Sequence, residues 1–336
     1  MSKEAVLYKK TANLEVECFL CSHFCRIKEG KFGFCGVRQN IKGVLYTHSY
    51  GKVIAKNIDP IEKKPIFHML PGSSSFSIAT LGCNFRCGFC QNWQISQIKE
   101  IEDLNRKVYD IKPEEIVREA KESNCKSISY TYTEPTIFFE YAFDIAKLAK
   151  KEGLYNIFVT NGYMTKEALE LIKPYLDAAN VDLKFFNNDG YKRVCAGSLR
   201  PVLETIDLMH KLNIWVEVTT LVIPGENDSA KELKGIAEFL VSVGKEIPWH
   251  VSRFHPDYKL TNLSPTPLEK LEEAYEIGKM AGLKYVYVGN VLEEEKTYCA
   301  SCRKDLIVRS SFGVITNNLK NGKCPKCGTV LDGLAL

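Results

Sequence analysis

Cys83, Cys87 and Cys90 stand in the stretch LGCNFRCGFCQN, with three and then two residues between them. Three thiolates held this close repel one another unless a metal takes up their charge. A structural zinc site normally closes with four ligands, so a zinc loop here needs a fourth thiolate from elsewhere in the chain. An iron–sulfur cluster also normally takes four, and one held by three cysteines leaves an iron open to an exogenous ligand. The triplet therefore fits a zinc loop completed from a distance, or a cluster that binds something further at its free corner.

Eight of the other ten cysteines are grouped as well. Cys18, Cys21, Cys25 and Cys35 form an irregular quartet that suits either a four-cysteine zinc site or an auxiliary iron–sulfur cluster. Cys299-x2-Cys302 and Cys324-x2-Cys327 are two knuckles separated by 21 residues, with a hairpin-like run LIVRSSFGVI between them. That spacing is a zinc-ribbon pattern, and a rubredoxin-like iron site would share its ligand geometry. A bound metal would there substitute for a core that so short a segment cannot build. Cys125 and Cys195 stand alone and are expected in the core as small apolar residues.

No apolar run approaches the ~20 residues a membrane span needs, and the first residues, MSKEAVLYKKTANLEVE, contain no apolar signal core. The expected location is the cytoplasm, where thirteen cysteines argue for metal ligation over disulfides. Residues 1–60 carry a net charge of +5, residues 61–295 of −6 and residues 296–336 of +5. Three units follow: an N-terminal four-cysteine module over 1–60, a body over 61–295 and a C-terminal ribbon over 296–336. The basic ends can dock nucleic acid, although bound thiolates would weaken their field.

The body alternates strand and helix. Strands are expected over residues 76–81, 127–133, 156–160, 180–185, 215–223 and 249–254, with one more short strand over 285–288. Helices are expected over residues 113–124, 136–152, 166–173, 201–212, 229–243 and 267–281. Six consecutive βα units imply parallel strands joined by right-handed crossovers, either as an open doubly wound sheet or as a partial barrel. In both, chemistry gathers at the C-terminal strand ends. The polar motifs obey this rule. The cysteine triplet follows strand one, Thr133-Glu134-Pro135 strand two and Thr160-Asn161-Gly162 strand three. Asp182 and Lys184 end strand four, Pro224-Gly225 follows strand five and His255 follows strand six.

The spacing Cys-x3-Cys-x2-Cys after the first strand of such a body resembles the radical SAM superfamily. The resemblance implies a partial (β/α)6 TIM-like barrel and a 4Fe–4S cluster whose open iron is chelated by S-adenosylmethionine (SAM). It also implies that Phe89 covers adenine and that Glu134, in the Tyr132-Thr133-Glu134-Pro135 counterpart of Gly-Gly-Glu-Pro, meets the SAM amino group. A carboxylate suits that role because it accepts charge-assisted hydrogen bonds. Among subfamilies the chain resembles the activases of glycyl radical enzymes, which implies SAM contacts for Asn161, Lys184 and His255. The activases' monovalent-cation site uses an aspartate where Val159 stands, although Asp182 is retained. With Gly30, Gly33, Gly36 and Arg38 around the N-terminal cysteines, residues 15–290 resemble the radical SAM member of the AmmeMemoRadiSam group.

These resemblances imply an enzyme that reductively cleaves SAM to a 5′-deoxyadenosyl radical, which abstracts hydrogen from a substrate. An electron donor such as ferredoxin or flavodoxin would be its partner. The substrate could be a glycine loop of a partner protein, a small molecule or cofactor, or RNA. A non-enzymatic multi-zinc adaptor is the alternative of a different class.

Overall fold

The structure is a computed structural model that describes residues 3–98 and 108–336. Its centre is a run of seven parallel strands: β2 (Ser74–Thr80), β3 (Ser127–Tyr130), β4 (Tyr155–Thr160), β5 (Ala178–Asp182), β6 (Trp215–Val222), β7 (Trp249–Arg253) and β8 (Val286–Gly289). Each pairs with the next in chain order. A doubly wound sheet would reverse its order at a switch point. A sheet that never reverses, with right-handed crossovers, carries its helices on one face and curls around the other. The sequential order therefore selects the partial barrel over the open sheet. Among the described residues no pairing joins the sheet's two outer strands, so the barrel stays open on one side.

Six helices form the outer layer: α1 (Pro113–Glu122), α2 (Phe139–Lys151), α3 (Lys166–Ile172), α4 (Leu199–Lys211), α5 (Ala230–Val243) and α6 (Leu268–Ala281). Their starts are encoded locally. Pro113 opens α1 where its missing N–H costs nothing. Thr165 and Ser229 cap α3 and α5 by accepting from the amides of Ala168 and Glu232. The apolar stripes then pack on alternate residues of the strands, including Phe76, Ile78, Ile128, Tyr130, Phe158 and Val181. The intervening positions face the barrel interior by the period-two rule. They include Ser75, Ser129, Asn180, Glu217, Thr219 and His250, all buried. The small, polar residues among them leave room and hydrogen-bonding groups inside the barrel.

Lys52–Pro60, which the charge pattern groups with the N-terminal module, runs as β1 antiparallel to β2. Its mixed polar residues suit an edge covered, among the described residues, only by the short strand Tyr109–Asp110. Residues 61–73 then fold under the barrel. Glu217 accepts the backbone N–H groups of Phe67 at 2.9 Å and His68 at 2.8 Å. Asn180 Nδ2 donates to the Pro65 carbonyl at 2.8 Å. The N-terminal end of the barrel is thereby closed, and access is through the end where the chemical motifs lie.

The N-terminal module has two three-stranded sheets: Lys3–Glu4 with Val44–Thr47 and Arg38–Ile41, and Tyr8–Lys10 with Val16–Cys18 and Arg26–Ile27. The C-terminal unit is an antiparallel sheet of Glu294–Tyr298, Asp305–Ser310 and Gly313–Asn317. It packs on Phe67, Tyr285 and Tyr287 beneath the barrel. No described helix is long and apolar enough to cross a membrane.

Candidate active site at the barrel mouth

The cysteine loop leaves β2 through Gly82, whose φ of +98° favours glycine. A Cβ there would lie 2.9 Å from Val37 Cγ1 and 3.0 Å from the Cys35 carbonyl oxygen. The loop then crosses the barrel mouth and is pinned by the loops of later strands. Arg86 N–H donates to the Cys195 carbonyl at 2.8 Å, and Gly88 N–H to the Val194 carbonyl at 3.0 Å, both beyond β5. Beyond β7, Lys259 N–H donates to the Gly88 carbonyl at 2.9 Å, and Trp93 stacks on Tyr258. Phe85 is buried against Tyr163 and Tyr191.

The three sulfurs have separate neighbours. Cys83 Sγ accepts from Phe85 N–H at 3.3 Å. Cys90 Sγ lies 3.2 Å from Ser96 Oγ. Cys87 has the Cys195 thiol as its neighbour. Burial pushes the Cys83 thiol well above its ordinary range, and the Cys195 contact together with burial does the same for Cys87. Both are protonated when no metal is bound, so metal loading must release protons. Iron retention is therefore expected to fall as pH is lowered from about 9 to about 6, a trend that titration of the loaded protein by its visible absorbance would measure. A pH-independent retention would contradict the burial of these ligands.

The sulfur spacing separates the two metal readings. Four thiolates around one tetrahedral ion with bonds of about 2.3 Å lie about 3.8 Å apart. Cys299, Cys302, Cys324 and Cys327 meet that requirement: their sulfurs all lie within 4.8 Å, with pairs at 3.5 and 3.7 Å. Among the described residues no other group of three cysteine, histidine or acidic side chains converges to that distance. The triplet at the mouth is wider than a single ion needs, as ligands to different irons of one cluster must be.

Around the triplet, the structure brings together four of the five residues expected to contact SAM, with Asp182 beside them. Phe89 is buried, with Lys184 Nζ 5.6 Å from its ring centre. Lys184 Nζ also pairs with Asp182 Oδ2 at 2.8 Å. Burial opposes the Lys184 charge, but the Asp182 carboxylate outweighs it and holds the ammonium above its ordinary value. Glu134 accepts four donors. Thr136 N–H at 3.0 Å, Thr160 Oγ1 at 2.7 Å and the Thr136 hydroxyl meet Oε1, and Asn161 N–H meets Oε2 at 2.8 Å. Burial nevertheless pushes its carboxyl upward against these bonds. Asn161 Nδ2 donates to Asn84 Oδ1 at 2.7 Å and lies 3.9 Å from Cys83 Sγ, while its Oδ1 accepts from Tyr163 N–H at 3.1 Å. Glu134 and Asn161 are thus a brace that fixes the cysteine loop to the end of β4. His255, the fifth, is exposed just beyond β7.

Several contributors carry no local signature in the sequence. His23 Nε2 lies 2.6 Å from the Asn84 carbonyl oxygen. Arg86 donates to the carbonyls of Cys83 at 2.7 Å and Phe85 at 2.9 Å and also reaches that of Phe34. Cys195 is buried, as expected of a small apolar residue, but its neighbour is a candidate metal ligand. The one available hint is its place beyond a strand end, where the chemistry collects.

The description "Radical SAM superfamily" matches residues 77–240. The chain is 48% identical to an uncharacterized protein of Methanocaldococcus jannaschii, over 98% of this chain and 99% of the relative. It is 23% identical to the pyruvate formate-lyase-activating enzyme of Clostridium pasteurianum, over 56% of this chain and 83% of that enzyme. Among solved structures, a radical SAM methyltransferase from Sphaerobacter thermophilus shares the fold with a TM-score of 0.52 at 15% identity, covering 66% of this chain and 67% of that one. The matched segment begins in β2, just before the triplet, and runs through the next four strands of the barrel; the chain belongs to the radical SAM superfamily.

Proposed function

We propose that this chain is an activase-like radical SAM enzyme that acts on a hydrogen-donating segment of a partner protein. Family membership implies a 4Fe–4S cluster and SAM. The observation that carries the reading is the cysteine loop held across the open barrel mouth, with sulfurs spaced too widely for one ion. When bound, the cluster and SAM supply a one-electron reductive cleavage that yields methionine and a 5′-deoxyadenosyl radical. An electron carrier such as ferredoxin or flavodoxin would deliver the electron.

The chain's own residues hold and shield that chemistry. Cys83, Cys87 and Cys90 would ligate three irons. Glu134 Oε2, with one donor already bound, keeps capacity to accept from the SAM amino group. The Lys184 ammonium, balanced by Asp182, offers a donor to the SAM carboxylate or ribose. Phe89 supplies an apolar face for adenine, and His255 stands at the rim for a closing contact. The buried Phe85, Tyr163 and Tyr191 keep water from one side of the mouth. The lateral opening of the barrel and the likeness to a pyruvate formate-lyase-activating enzyme support a peptide segment as substrate. The test is anaerobic incubation of the reduced, reconstituted protein with SAM and candidate glycyl radical enzymes, with detection of a glycine-centred radical. Robust deoxyadenosine release with no radical on any protein partner would exclude the activase reading.

We further propose zinc for the C-terminal quartet. Cys324→Ser is expected to lose about one zinc per chain while the catalytic cluster assembles normally, because the ribbon packs beneath the barrel and the triplet lies at its mouth. Metal analysis of the purified variant reads this directly, and loss of iron in place of zinc would reverse the assignment.

A further inference from the structure

Cys18, Cys21, Cys25 and Cys35 line one cavity between the N-terminal module and the start of α2, walled also by Leu20, Ile27 and Ile137. Arg38 lines it too and is 1% exposed. Its Nη2 donates to the Val6 carbonyl at 2.9 Å and to the Glu140 carboxylate. Its Nε and Nη1 are buried with no hydrogen-bond partner. A guanidinium keeps its charge under all ordinary conditions and has no acceptor capacity, so these two nitrogens leave three N–H donors at a cavity-lining residue that call for acceptors. Neutral thiols are poor acceptors. Thiolates and sulfides of a metal centre carry net negative charge and accept well.

Both a zinc site and an iron–sulfur cluster would supply that charge, and the sulfur spacing distinguishes them. The C-terminal quartet has collapsed to the separation a single ion needs, whereas no three sulfurs of the N-terminal quartet lie mutually within 4.8 Å. The triplet likewise forms no group within that distance, and there the family implies a cluster. The irregular order of the quartet, with Cys35 lying between Gly30 and Gly36, both at positive φ, also departs from the paired knuckles of a ribbon.

We propose that Cys18, Cys21, Cys25 and Cys35 hold a second iron–sulfur cluster, with Arg38 as a positioning residue that donates hydrogen bonds to its sulfurs. The site is clamped to the loop after β4, which carries Asn161, and lies against the start of the cysteine loop. Ser22 N–H donates to the Tyr163 carbonyl at 2.9 Å and Thr165 Oγ1 to the Phe19 carbonyl at 2.8 Å, and Gly82 leaves room for only 3.0 Å between an added Cβ and the Cys35 carbonyl oxygen. Loss of the second centre would therefore loosen the brace around Asn84 and Asn161. The inference does not depend on the activase reading, since it concerns which metal is bound and not what is modified.

The experiment is metal and sulfide analysis of the full chain after anaerobic reconstitution. The wild type is expected to hold about eight iron, about eight sulfide and about one zinc. A chain with Cys83, Cys87 and Cys90 all changed to Ala should keep about four iron with the absorbance and Mössbauer signature of a cluster. Further change of Cys18 and Cys21 to Ser should remove that iron. About four iron in the wild type, with or without a second zinc, would overturn the proposal even if every variant failed to fold. In the chain lacking the triplet, Arg38→Gln should lower the reduction potential of the remaining cluster, because hydrogen-bond donors and positive charge favour the reduced, more negative form. Arg38→Lys, which keeps the charge beside Glu140, should shift it less. An unchanged potential in Arg38→Gln would remove Arg38 from the centre.

Discussion

Cys87→Ala is expected to abolish SAM cleavage, reducing deoxyadenosine formation to that of the iron-free protein, while leaving the barrel folded. A cluster with one of its three protein ligands missing cannot present its open iron correctly, so the loss should be complete and not graded. The fold should tolerate the change because the core lies elsewhere, in the apolar strand residues packed under α1 to α6. Removal of one buried sulfur costs about 1 kcal/mol by the usual large-to-small rule, a small part of the stability of a domain this size. Circular dichroism and iron analysis on the same sample would separate the two effects. Cys195→Ala is the informative control: it removes the neighbour of Cys87 but no ligand, and should retain iron. If Cys87→Ala still cleaved SAM after reduction, the triplet would not be the cluster site.

Glu134→Gln is the second large effect, and its cause is the four donors that converge on one carboxylate. Glutamine keeps one oxygen. With that oxygen at the three-donor position, its NH2 faces the N–H of Asn161; with the amide flipped, three donors lose their acceptor. Loss of a hydrogen bond to a charged group, with a buried donor left unsatisfied, costs about 1.5–3 kcal/mol. Denaturant unfolding should show a stability loss of that order. The brace from Asn161 to Asn84 and Cys83 should loosen in step. SAM affinity of the reconstituted protein is expected to fall by about 10- to 150-fold, because the charged acceptor for the SAM amino group is lost, a bond of about 1.5–3 kcal/mol. Asn161→Ala should weaken SAM less, since its side chain acts through Asn84 and the loop. A stable Glu134→Gln protein with unchanged SAM affinity would remove Glu134 from both roles.

The parts of this architecture legible in the sequence are those set by local pattern. The apolar periodicity places each core strand and helix to within a few residues, because strand alternation and helix caps are local. The triplet is legible because metal ligands must be close in space and here are also close in sequence. What escaped depends on partners far along the chain. Lys52–Pro60 reads as a polar segment and becomes a strand only through pairing with β2. Glu217 and His250 sit in strands as buried polar residues because residues 67 and 68 and each other satisfy them, with His250 Nε2 2.7 Å from Glu217 Oε2. Asn161-Gly162 reads as a turn. Its bracing of the cysteine loop is visible only once Asn84, 77 residues away in sequence, is in contact.

Reductive SAM cleavage by the reconstituted chain is the measurement that bears most directly on the central claim. Protein loaded anaerobically with iron and sulfide, reduced with dithionite and incubated with SAM should release 5′-deoxyadenosine and methionine in equal amounts. Release should vanish in Cys87→Ala. A fully loaded, reduced wild-type protein that binds SAM and yields no deoxyadenosine, or one whose triplet binds zinc and rejects iron, would contradict the account.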